Sequence, residues 1–391
     1  MTNLFKKELM HVGEMASGVK LTVPVYTYKP EQSAASNVYI QANMHGAEVQ
    51  GNAVIFQLLE LLKECDIQAN ITLVPYANPI ACNHKNGEYT LGRFDPITGV
   101  NWNRMYHFDE AIIAPFVEQH IDASEAEIQA NFEQLLLAQI EDKLDHNIWG
   151  LTTGQRIAYQ LQRMAHQADI VLDLHTGPIS SQHLYCPEYA KVSANYFDIP
   201  HTILIPNDFD GAMDEATFCP WWSLQQAFDH KGRNFIMGEG AFAKESFTVE
   251  LGTQEQIDLA VAHQDAMSIL SYLQHKGVVA GNNDSANLPK DFLPQQMTRY
   301  ACYLKDYKAL YAPMGGMVDY LAEFGKPLAA GEPLARILRM DNYSSESSVE
   351  GGDSLHNICL ESEVLPILHF ASASVNQGTE LYKVFTNYFE L

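Results

Sequence analysis

The stretch Asn37-Val-Tyr-Ile-Gln-Ala-Asn-Met-His-Gly-Ala-Glu48 indicates the fold of this chain. Its first part, residues 37–43, is an apolar run typical of a buried strand. Residues 49–62 follow with apolar side chains at helical spacing, so the segment predicts a strand, a polar turn and a helix. Further strand-like runs occur at 70–76, 169–175, 202–206 and 246–251. Strands separated by helices predict an α/β domain with a largely parallel central sheet.

The overall composition restricts the classes of protein that fit. The 391 residues include 24 Lys+Arg and 48 Asp+Glu, which gives a formal net charge of −24. Such an acidic surface repels phosphate groups, so we expect neither nucleic acid nor an anionic membrane as a partner. No apolar stretch approaches the ~18 residues that span a bilayer, and no signal-like segment follows Lys6 and Lys7. The six cysteines form no CxxC pair, which fits a reducing cytoplasm.

The length of the chain suggests two domains. We predict an α/β domain over residues 1–285 and a β-rich domain over 290–391, with a linker rich in Gly, Asn, Ser and Pro at 277–289. A helical insertion over about 107–150 interrupts the first domain. It is either a lid or a helical pair that packs on the sheet edge. The stretch 342–353 is expected to be an exposed loop.

A His-x-x-Glu pair, His45 and Glu48, lies at the predicted turn between strand and helix. Similar pairs begin at His11 and His107, but only His45 comes directly off an apolar strand. Ligands of such sheets usually bind beyond the carboxyl ends of the strands. Imidazole and carboxylate groups hold catalytic Zn²⁺ while leaving a position open for water. The alternative is that Glu48 complements the helix dipole, with a polar histidine beside it.

Two further polar groups lie at the ends of predicted strands. His175, in Asp173-Leu-His-Thr-Gly177, is a candidate third metal ligand, and Asp173 on the same face of the strand could support it. Glu250, in Phe247-Thr-Val-Glu-Leu-Gly252, is a carboxylate in an apolar strand, which is costly unless the group is paired or functional. Beside an activated water it would act as a general base and later as an acid to the leaving amine. The alternatives are a core histidine and a structural salt bridge.

Two arginines and an asparagine follow the second strand. Arg93 and the pair Asn103-Arg104 lie in a loop rich in Gly, Pro and Asn. Arg104 could hold a substrate carboxylate in two parallel bonds, assisted by the Asn103 amide. Arg93 could polarise the scissile carbonyl and stabilise its oxyanion. In a chain this acidic, pairing of the arginines with surface carboxylates is the alternative.

Together and in this order, these elements resemble the succinylglutamate desuccinylase/aspartoacylase family of the zinc carboxypeptidase superfamily. The resemblance covers about residues 20–275 and rests on His45, Glu48, Arg93, Asn103, Arg104, His175 and Glu250. It implies a carboxypeptidase-like α/β fold, a mixed sheet flanked by helices. It also implies one Zn²⁺ held by His45, Glu48 and His175, with Glu250 as the base. The implied reaction is hydrolysis of an amide bond in a small N-acyl amino acid.

Two other functions remain open at this point. One is that of a metallocarboxypeptidase acting on short or modified peptides. The other is that of a non-catalytic member that binds a small molecule. A degenerate member would be expected to lose a ligand or the base, whereas this sequence retains all four candidates.

The sequence departs from the family at one part of the site. Related enzymes commonly use a tyrosine shortly before the catalytic glutamate, but no tyrosine lies between Tyr196 and Glu250. The residues considered in its place are Trp221, Trp222 and Phe247, and those considered for a second positive charge are Lys244 and Arg233. Because the insertion directly follows the Asn-Arg pair, we also expect an altered pocket entrance.

The C-terminal region resembles the barrel-sandwich domain of this family and of biotinyl or lipoyl carriers. The resemblance rests on the stretch Met314–Leu334. A carrier would present a lysine flanked by Met at the next hairpin tip, where this chain has Leu338-Arg-Met-Asp341. Carrier function is therefore not expected. We expect a cap that shapes the mouth of the site, or an interface of a homo-oligomer.

Overall fold

The computed structural model describes residues 4–31, 34, 36–280, 298–343 and 354–391. Most of the predicted linker at 277–289, and with it the predicted domain boundary, lies outside the described residues. The same is true of nearly all of the predicted loop at 342–353. No helix in the described part of the chain is long and apolar enough to cross a membrane. Within that part no disulfide joins two cysteines. The cytoplasmic location and the oligomeric state remain predictions.

The strands and helices are numbered in chain order. The strands are β1 (Lys6–Glu14), β2 (Lys20–Tyr28), β3 (Asn37–Ala42), β4 (Asn70–Val74), β5 (Lys85–Asn86), β6 (Tyr89–Thr90), β7 (Ile170–Gly177), β8 (Ile179–Ser180), β9 (Gln182–Pro187), β10 (His201–Ile205), β11 (Glu245–Thr253), β12 (Tyr300–Tyr303), β13 (Tyr307–Tyr311), β14 (Gly316–Tyr320), β15 (Pro333–Leu338), β16 (Leu355–Cys359), β17 (Leu365–His369), β18 (Ser374–Val375), β19 (Glu380–Phe385) and β20 (Phe389–Glu390). The helices are α1 (Gln50–Leu62), α2 (Ile113–His120), α3 (Glu125–Asp145), α4 (Thr153–Ala165), α5 (Lys191–Ala194), α6 (Met213–His230) and α7 (Leu259–His275).

One large mixed sheet has the strand order β1-β2-β4-β3-β7-β11-β9-β10-β12-β20. Its central strands β4, β3, β7 and β11 run parallel to one another. β2 pairs antiparallel with β4 on one side, and β9 pairs antiparallel with β11 on the other. The predicted α/β fold is confirmed, and the five predicted strands correspond to β3, β4, β7, β10 and β11. The hairpin β1–β2 and the strand β9 were not predicted.

The two faces of the central strands differ in polarity, because side chains alternate along a strand. One face buries Ile40, Leu172 and Val249 against α1 and α7. The opposite face is covered by α4 and α6 and carries Gln41 and Asp173 as well as apolar residues. This second face therefore brings polar groups to the carboxyl ends of the parallel strands.

The predicted insertion at 107–150 forms α2 and α3. Phe116 of α2 and Phe132 of α3 pack with Trp221 of α6 in one apolar cluster, in which the ring centroids of Phe132 and Trp221 lie 5.0 Å apart. The insertion is thus a packed helical pair, and it packs on α6 rather than on the sheet edge. None of its residues lines the cavity described below, which is contrary to the lid interpretation.

The C-terminal strands form two small sheets, β13-β19-β17-β8 and β16-β15-β14-β18. Leu334, Ile337, Leu381 and Val384 form the apolar core of this region. The region is also hydrogen-bonded to the large sheet, because β12 pairs with β10 and β20 pairs with β12. A further link is β8, which directly follows β7 and pairs with β17. The predicted β-rich region therefore pairs with the short strand that directly follows the one carrying His175.

Candidate active site

A cavity of about 510 Å³ opens at the carboxyl ends of β7 and β11. The residues that the sequence predicts for the site all line it: His45, Glu48, Arg93, Asn103, Arg104, His175 and Glu250. The fold thus brings together groups that are widely separated along the chain. This edge of a parallel sheet is where α/β proteins usually bind their ligands.

A tight turn between β3 and α1 carries His45 and Glu48. Asn43 has a φ of 63°, in the left-handed region, and its side chain donates a hydrogen bond to the His45 carbonyl at 2.8 Å. A Cβ on Gly46 would lie 2.0 Å from the carbonyl oxygen of Ala81, so only glycine fits there. The helix begins two residues after Glu48. Glu48 therefore precedes the first helical turn, and its carboxylate points to two histidines instead.

Glu48 lies between the two imidazoles. Its Oε1 is 2.9 Å from His45 Nδ1 and its Oε2 is 2.7 Å from His175 Nδ1. The ligand atoms of the three buried residues all lie within 4.8 Å of one another. Burial alone would raise the pKa of Glu48, but the two histidines outweigh it and hold that pKa well below its usual value. Two imidazoles and a carboxylate that converge in this way fit a single divalent cation.

The outward-facing nitrogens of both histidines are also held. His45 Nε2 lies 2.7 Å from Asn101 Oδ1, and His175 Nε2 lies 2.8 Å from Asp173 Oδ2. Oxygen atoms at these positions would favour a proton on Nε2 when a metal ion takes the lone pair of Nδ1. Asn103 Nδ2 is a further neighbour, 3.3 Å from His175 Nε2. Asp173 thus occupies the supporting position that the sequence predicts, whereas Asn101 was not predicted.

Glu250 faces the same cavity from β11. It is the register partner of His175 on the neighbouring parallel strand. Its Oε2 is buried and makes no hydrogen bond within the described residues. Burial, and then the negative charge of Glu48, raise the pKa of Glu250 to about 7. A carboxyl group with that pKa can both accept and donate a proton near neutral pH.

The loop after β4 supplies the positive side of the cavity. Arg93 Nη1 lies 3.3 Å from Glu48 Oε1, and about half of the arginine side chain is exposed. Arg104 donates through Nε to Asp210 at 3.0 Å and through Nη1 to the Asn103 carbonyl at 2.7 Å. Pairing of this arginine with a surface carboxylate, the alternative considered for it, is therefore partly realised. Its Nη2 makes no hydrogen bond within the described residues and is left for a ligand.

The lining residues that the sequence argument missed include two tyrosines and a lysine: Tyr185 of β9, Tyr307 of β13 and Lys383 of β19. Tyr185 is the register partner of Thr248 and therefore shares a face with Glu250, two residues further along β11. Burial raises the pKa of Tyr185, so its hydroxyl stays protonated at neutral pH. Lys383 Nζ lies 5.4 Å from the centroid of the Tyr307 ring. Within the described residues this lysine forms no ion pair, although the chain as a whole is acidic.

The other pocket residues considered from the sequence lie outside the cavity. Trp221 and Trp222 belong to apolar clusters around α6, and Phe247 lies on the opposite face of the sheet. Lys244 donates a hydrogen bond to the carboxylate of Asp169 at 2.8 Å. Arg233 donates to backbone carbonyls of the insertion. The tyrosines and the lysine that line the cavity come instead from β9 and from the C-terminal region.

The chain belongs to the succinylglutamate desuccinylase/aspartoacylase family, because the model of that family's catalytic domain matches residues 34–276. This match confirms the resemblance seen in the motifs. The family match spans the strands and turns that carry the predicted site residues.

Two solved structures are similar to this chain over nearly its whole length. A Shewanella frigidimarina protein assigned to the same family is 50% identical, with a TM-score of 0.91, and the match covers 100% of this chain and 99% of that one. A family protein of Shewanella amazonensis is 49% identical, with a TM-score of 0.89, and covers 99% and 100%. The N-alpha-acetyl-L-2,4-diaminobutyric acid deacetylase of Halomonas elongata is 23% identical over 312 residues, which are 76% of this chain and 68% of that enzyme.

Proposed function

We propose that this protein is a zinc-dependent amidohydrolase that removes the acyl group from a small N-acyl amino acid. The observation that carries the proposal is the buried group of His45, Glu48 and His175, whose ligand atoms lie within 4.8 Å of one another. Glu250 faces the same cavity with a buried oxygen that has no partner in the described part of the chain. Membership of the family supports a hydrolase of N-acyl amino acids in general.

His45 and His175 would hold the ion through Nδ1, and Glu48 would hold it through its carboxylate. Two imidazoles and one carboxylate form a common donor set for catalytic zinc. When bound, zinc supplies Lewis acidity that activates a water and polarises an acyl carbonyl. The acceptors behind both imidazoles support this assignment, because they orient the nitrogens that face Glu48.

Glu250 moves the proton in the proposed reaction. Its Oε2 accepts a proton from the attacking water, and the same group then donates that proton to the nitrogen of the departing amine. In the metal-free protein, burial and the charge of Glu48 raise the pKa of Glu250 towards neutrality, and a carboxyl group of raised pKa can both accept and donate a proton. Arg93 lies beside Glu48 and stabilises the negative charge that develops on the carbonyl oxygen.

The cavity favours a small substrate with a carboxylate. A volume of about 510 Å³ is in the usual range for small-molecule sites. Arg104 offers its Nη2 to the α-carboxylate, with the Asn103 amide close by. Tyr307 and Lys383 of the C-terminal region form part of the cavity wall, whereas a metallocarboxypeptidase would need an open cleft for a peptide chain. The Halomonas relative, a deacetylase of an N-acetyl amino acid, supports the same substrate class.

Activity of the zinc-reconstituted protein on N-acetyl and N-succinyl amino acids tests the proposal, with C-terminal dipeptides measured in parallel. Amine release from the N-acyl amino acids alone is expected. Cleavage of the dipeptides alone would favour a metallocarboxypeptidase. About one bound zinc per chain without turnover of either class would favour a non-catalytic binding protein.

The variant Glu250→Gln separates metal binding from proton transfer. It should retain zinc while losing about 100-fold or more in turnover, as expected when a general base is removed. Zinc content, measured by elemental analysis of the same preparation, provides the comparison. Wild-type turnover in this variant would remove Glu250 from the proposed role.

A further inference from the structure

A buried polar row crosses three central strands behind the candidate metal site. Gln41 of β3, Asp173 of β7 and Thr248 of β11 are register partners on the same face of the sheet. Gln41 and Asp173 are both 0% exposed. A buried polar side chain is costly unless it is hydrogen-bonded, so the partners of this row show what it holds.

The amide of Gln41 connects two tyrosines to Asp173. Its Oε1 accepts a hydrogen bond from the Tyr39 hydroxyl at 2.9 Å. Its Nε2 donates to Asp173 Oδ1 at 2.8 Å and to the Tyr106 oxygen at 3.2 Å. The other carboxylate oxygen, Asp173 Oδ2, lies 2.8 Å from His175 Nε2. The chain of contacts therefore leads from Tyr39 through Gln41 and Asp173 to the imidazole of His175.

We infer that Gln41 is a positioning residue for His175, acting through Asp173; the inference rests on the proposed metal site. An ionised carboxylate is acceptor-only, so the orientation of the Gln41 amide is fixed by Asp173 on one side and by the Tyr39 hydroxyl on the other. Within the described residues, Gln41 is the hydrogen-bond donor to Asp173 Oδ1.

Loss of the Gln41 donor should change the position of the His175 imidazole. Without Gln41, the Asp173 carboxylate would be buried with one oxygen unpaired, and it could turn away from His175 Nε2. The imidazole would then lose the acceptor that keeps its Nδ1 directed towards Glu48. Groups behind metal-binding histidines commonly change metal affinity when they are altered, although they do not touch the ion.

A second buried glutamine provides a matched control for a purely structural role. Gln162 of α4 is also 0% exposed. Its side chain donates to the His107 carbonyl and lies 3.0 Å from His166 Nε2, and none of these groups lines the candidate site. Replacement of either glutamine by methionine removes buried hydrogen bonds at similar side-chain length, but only one of them leads to a metal ligand.

Zinc affinity of the full chain, measured by chelator competition, tests the inference alongside thermal unfolding of the metal-free protein. Gln41→Met should weaken Zn²⁺ binding by about 10- to 100-fold. Gln162→Met should lower the Tm of the metal-free protein but leave its zinc affinity within about twofold of wild type, because it does not contact the supporting groups of the site. Tyr39→Phe removes one hydroxyl and keeps the ring, and we expect about three- to tenfold weaker binding.

The outcomes distinguish the inference from the function on which it rests. Wild-type zinc affinity in both Gln41→Met and Tyr39→Phe would overturn the positioning role and leave the proposed function intact. An equal loss of affinity in Gln162→Met would also overturn it, because general loosening of the fold would then explain the result. If Gln41→Met does not fold, Tyr39→Phe decides. A wild-type chain that binds no zinc would overturn both the inference and the proposed function.

Discussion

The carboxyl group of Glu250 should destabilise the metal-free fold at neutral pH, and Glu250→Gln should remove that penalty. Burial and the charge of Glu48 raise its pKa from 4.5 to about 7. Between these values the folded protein keeps a proton that the unfolded chain has released, so stability falls as the pH rises through this interval. Below it both states are protonated, and above it both are ionised. At about 1.4 kcal/mol for each tenfold change in proton affinity, the full penalty is at most about 3.5 kcal/mol.

Urea unfolding of metal-free wild type and Glu250→Gln, from about pH 5 to about pH 8, measures this penalty. The free energy of unfolding of the variant should exceed that of wild type by an amount that grows with pH and levels off above about 7. Asp214 and Asp265, whose pKa values burial also raises to about 7, titrate in both proteins and cancel in the difference. Glu361→Gln, at an exposed site, is the matched control. A difference that stays constant across the pH range would refute the reasoning.

Three further variants test separate parts of the site. Gly46→Ala should lower stability by about 1–3 kcal/mol, seen as a lower Tm, because its Cβ would lie 2.0 Å from the Ala81 carbonyl oxygen; an unchanged Tm would contradict the close approach. Arg104→Lys should raise the KM for N-acyl amino acids about tenfold with little change in kcat, because a single ammonium group cannot keep the contacts with Asp210 and the Asn103 carbonyl and also donate to a substrate carboxylate as Nη2 would; an unchanged KM would remove this arginine from substrate binding. Lys383→Met should lower kcat/KM about tenfold through loss of a charged contact, whereas Lys308→Met, which lies outside the cavity, serves as the control; equal effects in the two variants would argue against a contact with substrate.

The candidate metal ligands His45 and His175, and Glu250 beside them, could be proposed from the sequence because their positions follow from strand ends. His45 comes shortly after β3, while His175 and Glu250 lie near the carboxyl ends of β7 and β11. Neighbouring parallel strands end at the same edge of a sheet, so side chains at those ends must lie close together. The apolar runs placed these residues at strand ends, and the family resemblance then assigned them to one site. The pairing of Glu48 with both histidines then follows from the turn that precedes α1.

The remaining groups could not be found in this way, because their positions depend on long-range packing. Tyr185 reaches the cavity only because β9 inserts antiparallel beside β11, and no local pattern indicates that strand order. Gln41 stands in an apolar strand, and its role depends on the register with Asp173 on β7. A usable signal did exist for Lys383, since it is a lone charge in the strand Leu-Tyr-Lys-Val-Phe, but the sequence does not say which site that strand faces. The ion pair between Arg104 and Asp210 also could not be predicted, because the two residues are distant in the chain.

The contacts of the C-terminal region favour a cap over a role confined to an oligomer interface. The chain that follows His175 turns into β8, whose Ser180 is paired with β17 of the C-terminal region. The same region turns Tyr307 and Lys383 towards the cavity that Glu250 lines. A surface that served only to join subunits would not require strand pairing close to His175. Nor would it require a lysine that faces the cavity and forms no ion pair in the described part of the chain. The β8–β17 pairing and the lining residues Tyr307 and Lys383 lie at the same edge of the sheet. The C-terminal region therefore completes the wall of the candidate site and also holds the chain that follows His175.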